Sequence, residues 1–252
     1  MEPWDKMSAK NFLAENWAKA SSPIAFMGIN KIYDFFNGAL SKGQIEKVLS
    51  SFESYSVMRE EKNSQNRKYQ GFSMPTHLYN LCECDSFSIE ELSDENNSAK
   101  HILCVINVFS KHAYCALMWD RSAESGLTAL QDIFSFAQNY PDALVSDKGG
   151  ECSARLIREY LKNRGTKSII ATGLNKASSV ESGYLTIRKK RELASQDLIL
   201  FSQGFQRTLQ KRIYTYLQEN QTRRFVHILP DIMYAYNQSI HSTTKRFCNL
   251  PG

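Results

Sequence analysis

Ala143-Leu144-Val145-Ser146-Asp147-Lys148-Gly149-Gly150 decides how the rest of the chain reads. Four small or apolar residues in an unbroken run predict a short strand buried on both faces. The run ends on a carboxylate. The paired glycines after it let the backbone turn sharply while Asp147 stays at the end of the sheet. An Asp in a strand-ending turn is common by itself, so its company matters. Asp85 closes an earlier strand candidate over 78–85, and Glu181 stands at an expected helix start. Carboxylates on three separate elements suit hard divalent cations that keep open positions for water and phosphate oxygens.

Working outward, 151–164 predicts a helix and 168–171 another short strand. Upstream, 101–109 is a strong β run after an acidic turn at 90–98, and 114–119 returns as a hairpin partner. Residues 122–139 predict a helix with Leu127, Leu130, Ile133, Phe134 and Phe136 on its apolar face. From Gln206 onward the pattern is helical, with a boundary at Pro230. Three strands in series, then alternating helix and strand, predict a mixed sheet covered on both faces. Ahead of it, 8–21 carries Phe12, Leu13 and Trp17 at helical spacing, 28–36 continues helically, and Ser41 caps a helix over 42–49. These fit a helix-turn-helix or any small helical bundle. The expected organisation is a helical region at 1–58, a polar linker at 59–76 (least patterned at 59–72) and an α/β domain at 77–252.

Composition narrows the classes. The 252 residues are 42% hydrophobic and 23% charged, which excludes a disordered chain, a collagen-like fibre or a disulfide knot. No stretch approaches the ~20 apolar residues of a membrane span. The first twenty residues lack a signal peptide's apolar core, so the six cysteines are expected as reduced thiols in nucleus or cytosol. Net charge is +5, but residues 182–252 hold 11 Lys/Arg against 4 Asp/Glu. A basic C-terminal third suits a polyanion, nucleic acid foremost.

Several pieces carry a family resemblance together. They are His101-Ile-Leu-Cys-Val-Ile-Asn-Val-Phe-Ser-Lys-His-Ala-Tyr114, Val145-Ser-Asp-Lys-Gly-Gly-Glu151 and Lys176-Ala-Ser-Ser-Val-Glu181. Two more are Phe205-Gln-Arg-Thr-Leu-Gln-Lys211 and Leu229-Pro-Asp-Ile-Met-Tyr-Ala-Tyr-Asn-Gln-Ser-Ile-His241. In this order they resemble the catalytic core of retroviral-type integrases, especially those of Maverick/Polinton transposons. The resemblance implies an RNase H-like fold, a five-stranded mixed sheet flanked by helices after a small helical N-terminal region. It implies DNA end processing and strand transfer in the nucleus with Mg²⁺ or Mn²⁺, by a homo-oligomer with no membrane attachment. Carried over by position, Asp85, Asp147 and Glu181 are the acidic, metal-holding triad, and Lys176, Arg207, Lys211 and Arg212 meet DNA. Glu83 rivals Asp85, since period two puts both on one face of the strand. Asn107 stands where relatives often have Asp. Cys82-x-Cys84 is too tight for the usual zinc pairing, and no His-His…Cys-Cys array of an integrase zinc module occurs.

One departure is large. In the family the third acid runs directly into a helix of the type Glu-Arg-Phe-Asn-Arg-Thr-Leu. Here Ser182 to Gln203 intervene before Gly204-Phe205-Gln206-Arg207-Thr208-Leu209 resumes it. The intervening basic run Arg188-Lys189-Lys190-Arg191 reads as a solvated cluster or a nuclear-localisation mimic. Leu198-Ile-Leu-Phe-Ser-Gln203 is what a translated pyrimidine-rich tract ending in CAA or CAG gives. A retained intron at 182–203 accounts for both, and the insertion is expected to impair strand transfer. The alternative is a catalytically inactive integrase relative that binds nucleic acid or protein partners. Sequencing the transcript across this junction should show a message without 182–203 that reads Glu-Arg-Phe-Gln-Arg-Thr-Leu.

Overall fold

In the computed structural model, which describes residues 4–57, 81–147, 149–170, 202 and 204–241, strand β1 (Leu81–Ser88) is the middle of a five-stranded sheet. It pairs antiparallel with β2 (His101–Asn107), Glu83 opposite Ile106 and Asp85 opposite Cys104. β2 pairs antiparallel with β3 (Ala113–Met118). On the other side β4 (Ala143–Ser146) runs parallel to β1, Cys84 level with Ser146, and β5 (Lys167–Ile170) runs parallel to β4. The order β3-β2-β1-β4-β5 is the expected mixed sheet. β2 is buried along its whole length, which is why it reads as an unbroken apolar run.

Period two sorts the sheet's side chains. Cys82 and Cys84, Leu103 and Val105, and Leu144 point to one face and form a single core with Leu130, Ile133 and Phe134. Those last three come from α5 (Ala123–Ala137), whose start is fixed by Ser122 accepting from the Ser125 amide at 3.1 Å. Glu83 and Asp85 therefore point to the opposite face. β1 continues three residues beyond the predicted Asp85, because Ser86, Phe87 and Ser88 still pair with β2.

The helix expected over 151–164 is two: α6 (Gly150–Ser153) and α7 (Arg155–Asn163). Ala154 breaks them with an extended ψ of 156°, and its carbonyl then starts α7 by accepting from the Arg158 amide. The break lets α6 turn Glu151 and Cys152 inward while α7 buries Ile157 and Leu161. Gly126 in α5 makes the approach to α6 feasible. A Cβ there would lie 2.0 Å from the Glu151 backbone carbonyl oxygen.

The described residues belong to two units, one drawn from 1–69 with 207–252 and the other from 70–206. In the first, α1 (Lys6–Asn16), α2 (Ile29–Phe35) and α3 (Lys42–Leu49) share a core of Leu13, Trp17, Ile32, Phe36, Ile45 and Leu49. α4 (Glu53–Val57) follows. Ser41 and Gln44 form the reciprocal capping box expected of α3. α1 stops at Asn16, short of the predicted residue 21. The Trp17 carbonyl instead accepts from the Phe26 amide at 2.9 Å, and the Trp17 indole donates to the Met27 carbonyl at 2.9 Å. Helix α8 covers 204–219, and α9 (Leu229–Asn237) carries Pro230 in its first turn, where no amide is needed. The 59–72 linker and most of 182–203 lie outside the described residues.

Gly126→Ala tests the α5–α6 approach. Alanine gains ~1 kcal/mol of helix propensity, but a clash with backbone cannot relax as a flexible side chain would, and overpacking costs about 1–3 kcal/mol or more. The substitution should therefore lower the urea midpoint rather than raise it.

Candidate active site

The parallel pairing of β1 and β4 brings Asp85 and Asp147 to one end of the sheet. Both line a crevice of about 60 Å³ with Glu83, Val145, Ser146 and Ser202. Asp85 is half-buried and accepts from the Ser86 amide at 2.8 Å. Burial raises its pKa, and the negative charges of Asp147 and Glu151 push the same way. Asp147 is exposed and accepts from the Gly149 amide at 2.8 Å. Gly149 is required by crowding. A Cβ on it would stand 2.9 Å from Asp147 Oδ1 and 2.8 Å from Glu151 Oε2, so two carboxylates converge on that backbone.

Glu151 belongs to the site although no signal in the sequence assigned it a role. It is 3% exposed. Its Oε1 accepts from Arg121 Nε at 3.0 Å, Arg121 Nη2 at 2.5 Å and the Ser86 hydroxyl at 2.7 Å. Burial raises its pKa, but the hydrogen bonds from Arg121 and Ser86 outweigh that and hold it below the usual value. Arg121 thus keeps a third negative charge near Asp85 and Asp147. Charges 30 positions apart on different elements leave no periodic trace.

Glu83, the rival first acid, is buried at 2% exposure. Its Oε2 accepts from the Ser202 amide at 2.7 Å, while Oε1 has no hydrogen-bond partner among the described residues. Burial raises its pKa to about 8, against the opposing pull of the Ser202 amide and Lys111. Lys111 is itself buried, at 1% exposure, in the turn from β2 to β3. Asn107 builds that turn, its Oδ1 accepting from the Phe109 and Ser110 amides at 2.9 and 2.8 Å. Its amide oxygen does there what an Asp carboxylate would. Asp85 lies one residue past the Cys84–Ser146 level, as Asp147 does, and is less buried than Glu83.

The other expected residues are placed as follows. Glu181 and Lys176 lie outside the described residues. Arg207 and Lys211 are exposed one turn apart on α8. Arg212, expected to meet DNA beside them, is 2% exposed; its guanidinium lies 5.8 Å from the Tyr236 ring centroid, and Nη1 donates to the Ile232 carbonyl at 3.5 Å. Its place in the helical period turns it inward, where its charge is shared with the aromatic face of α9. Among the described residues no three His, Cys, Asp or Glu side chains form a metal-holding group. The described cysteines are free thiols, with Cys84 Sγ 3.0 Å from Cys152 Sγ.

No protein-family model matches the chain, and no curated protein matches it in sequence. Solved structures do. A chain of the cryo-EM structure of a simian T-cell lymphotropic virus intasome in complex with the PP2A regulatory subunit B56 gamma superposes with a TM-score of 0.57. The match spans 94% of this chain and 70% of that one at 9% identity. The fold is integrase-like, of the RNase H kind, and at that identity the likeness speaks for the fold alone.

Glu83 makes the fold pH-sensitive in a definite direction. Its folded pKa of about 8 lies above the ordinary 4.5, so the folded state holds the proton longer. That contribution is fully present below the ordinary value and is lost as pH rises through about 8. Melting temperature in EDTA should fall between pH 5 and pH 8, and Glu83→Gln should flatten that fall.

Proposed function

We propose that this chain is a transposon-derived, integrase-like protein that processes DNA ends and joins them to target DNA. The single observation that carries this reading is the convergence of Asp85 and Asp147, each one residue past the Cys84–Ser146 end of the β1–β4 pairing, in one crevice of an integrase-like sheet. The sequence pieces around them point to the Maverick/Polinton kind.

The donor set fits a divalent cation. Asp85 is destabilised as an anion by burial and by its acidic neighbours, and hard carboxylate oxygens suit Mg²⁺ or Mn²⁺. Asp85 and Asp147 would hold the ion, with Glu181 as third ligand. When bound, the metal supplies activation of a water or DNA 3′-hydroxyl and stabilisation of charge on the phosphate and leaving oxygens. The protein's own part is to fix the carboxylates. The Ser86 amide holds Asp85, the Gly149 amide holds Asp147, and Glu151, at the start of α6, is itself held by Arg121 and the Ser86 hydroxyl. Arg207 and Lys211 offer charge to the DNA backbone, and action on chromosomal DNA would place the protein in the nucleus, as an oligomer.

The insertion supports a second reading, a non-catalytic relative that binds nucleic acid. Glu181 is followed by Ser182 and Gly183, and glycine is the poorest helix former after proline. A third carboxylate without a rigid helix behind it loses its geometry, and a small misplacement can cost ~100-fold in rate.

Strand transfer of a fluorescent DNA end with a recessed 3′-hydroxyl into supercoiled plasmid, with Mg²⁺ or Mn²⁺, separates the readings. The chain as it stands should be weak, and excising 182–203 with Arg at the junction should raise activity more than ~10-fold. Asp147→Asn in the excised form should remove at least ~100-fold while leaving the EDTA melting temperature unchanged. Inactivity of both forms, with DNA binding retained, would favour the binding protein.

A further inference from the structure

A cavity in the unit drawn from 1–69 and 207–252 measures about 830 Å³ and belongs to none of the chemistry above. That size lies within the ~300–1,000 Å³ of sites that enclose a small organic ligand. Its charge is one-sided. Lys31, Lys42, Arg207, Lys211 and Arg212 line it, against Glu46 alone among acids. Its other wall is apolar and aromatic, with Trp17, Phe26, Met27 and Tyr55. The hydroxyl residues Thr208 and Thr215 lie on the α8 side.

The aromatic wall is held in place before any ligand arrives. Phe26 sits in the left-handed backbone region, φ +52°, a costly conformation for a bulky residue. The Phe26–Trp17 backbone hydrogen bond keeps it there, and its ring packs edge-on to Trp17 and Tyr216 at 5.9 and 6.4 Å between centroids. On the basic side, Lys31 Nζ and the Arg212 guanidinium each lie 5.8 Å from the centroid of the Tyr236 ring. Arg207 and Lys211 stand one turn apart on α8, and exposed Lys42 opens α3.

A ligand for this cavity carries several negative charges and a flat apolar body together. Nucleotides have that chemistry, phosphates for the cations and a base for the aromatic wall. A duplex does not present it, because its bases are stacked and paired and only phosphates and groove edges face outward. We infer that the cavity binds an unpaired stretch of a nucleic-acid strand, one or two nucleotides deep, through Lys31, Lys42, Arg207 and Lys211, with a base against the Phe26 wall. The inference rests on the nucleic-acid reading above but not on catalysis. It gives Lys31 and Lys42 of the N-terminal helices a share in DNA binding beside the basic residues of α8. Frayed or unpaired strand ends are the natural substrate.

The test is fluorescence anisotropy of the full chain in EDTA, so inactivity in strand transfer does not affect it. The probes are fluorescein-labelled dT10 and a ten-base-pair duplex. At about 150 mM salt the expected result is dT10 binding at least tenfold tighter than the duplex. Its salt dependence should show a slope near −0.7 per phosphate engaged. Lys42→Glu and Lys211→Glu, both at exposed positions, should each weaken dT10 binding about tenfold with unchanged melting by circular dichroism. Equal or tighter duplex binding, or full dT10 affinity in Lys42→Glu, would overturn the inference. Competition with dTMP and with inorganic phosphate fixes the ligand's source. Displacement by either at the oligonucleotide's own concentration would reassign the cavity to a free mononucleotide or a simple anion, and would also overturn it.

Discussion

Side-by-side parallel pairing of β1 with β4, Cys84 level with Ser146, constrains everything at the candidate active site. Parallel strands cannot be joined by a tight turn; after the antiparallel β2 and β3 the chain crosses back through α5 to place β4 beside β1. The register then does two things at once. It sends Cys82, Cys84 and Leu144 into the core beneath α5, and it sends Glu83 and Asp85 to the other face, where Asp147 emerges one step past the end of β4. A slip of one residue would bury Asp85 in the α5 core and expose Cys84. Hydrophobic burial on one face thus secures the acid pair on the other. The same crossover requires Gly126, because α5 passes the α6 backbone too closely for any side chain.

The acid end of the sheet is electrostatically unfavourable by itself. Asp85 and Asp147 share a small crevice, Glu151 stands near both, and Glu83 lies beneath them, all carboxylates. The protein resolves this unevenly. Glu151 receives Arg121 and stays ionised; Glu83 receives a backbone amide and the neighbourhood of Lys111, and burial leaves it protonated over much of the neutral range. Asp85 receives the Ser86 amide and the Gln206 side chain, yet burial and its acidic neighbours keep it raised. Asp85, half-buried and raised, and Asp147, exposed, are the members of the cluster that open to the crevice. Structural carboxylates are normally neutralised where they stand, and those left strained in a cleft are the ones positioned to take a ligand.

The fold was legible where one physical signal dominated. β2 is buried on both faces and reads as an apolar run, β4 is short and bounded by Pro141-Asp142 and the glycines, and Ser41 announces α3 by its capping box. Boundaries failed where tertiary hydrogen bonds overrode pattern. Trp17 continues the apolar period of α1, yet its carbonyl and indole serve the 26–27 turn, so the helix ends before it. Ala154 is a good helix former at which the chain nevertheless breaks, because Glu151 is drawn to Arg121. For the site, Asp147 could be read because it directly follows a short buried strand, and Asp85 because it lies in an earlier strand run, although that strand continues to Ser88. Arg121–Glu151 and Lys111–Glu83 could not, since pairs distant in sequence become neighbours only through the sheet's register. The burial of Arg212 could not be read for a related reason: a basic cluster in sequence does not say which member the helix turns inward.

Charge sets the last condition on function. A cluster of carboxylates repels the phosphate backbone that the proposed strand joining would have to receive, so attraction for DNA would have to come from cations elsewhere in the chain. The excess of 11 Lys/Arg over 4 Asp/Glu in residues 182–252 supplies part of it, and Lys31 and Lys42 of the N-terminal helices add to it around their cavity. Attraction of this kind acts over about a Debye length, ~8 Å at physiological salt, and carries no sequence information. The chemistry proposed for Asp85 and Asp147 would depend instead on sub-ångström placement of a few oxygens. The two demands are met by different residues under different constraints, loose and additive for binding, exact and cooperative for the site. An insertion beside Glu181 can therefore disable catalysis while leaving affinity for nucleic acid in place, which is how a binding protein can arise from an integrase fold without any change in its core.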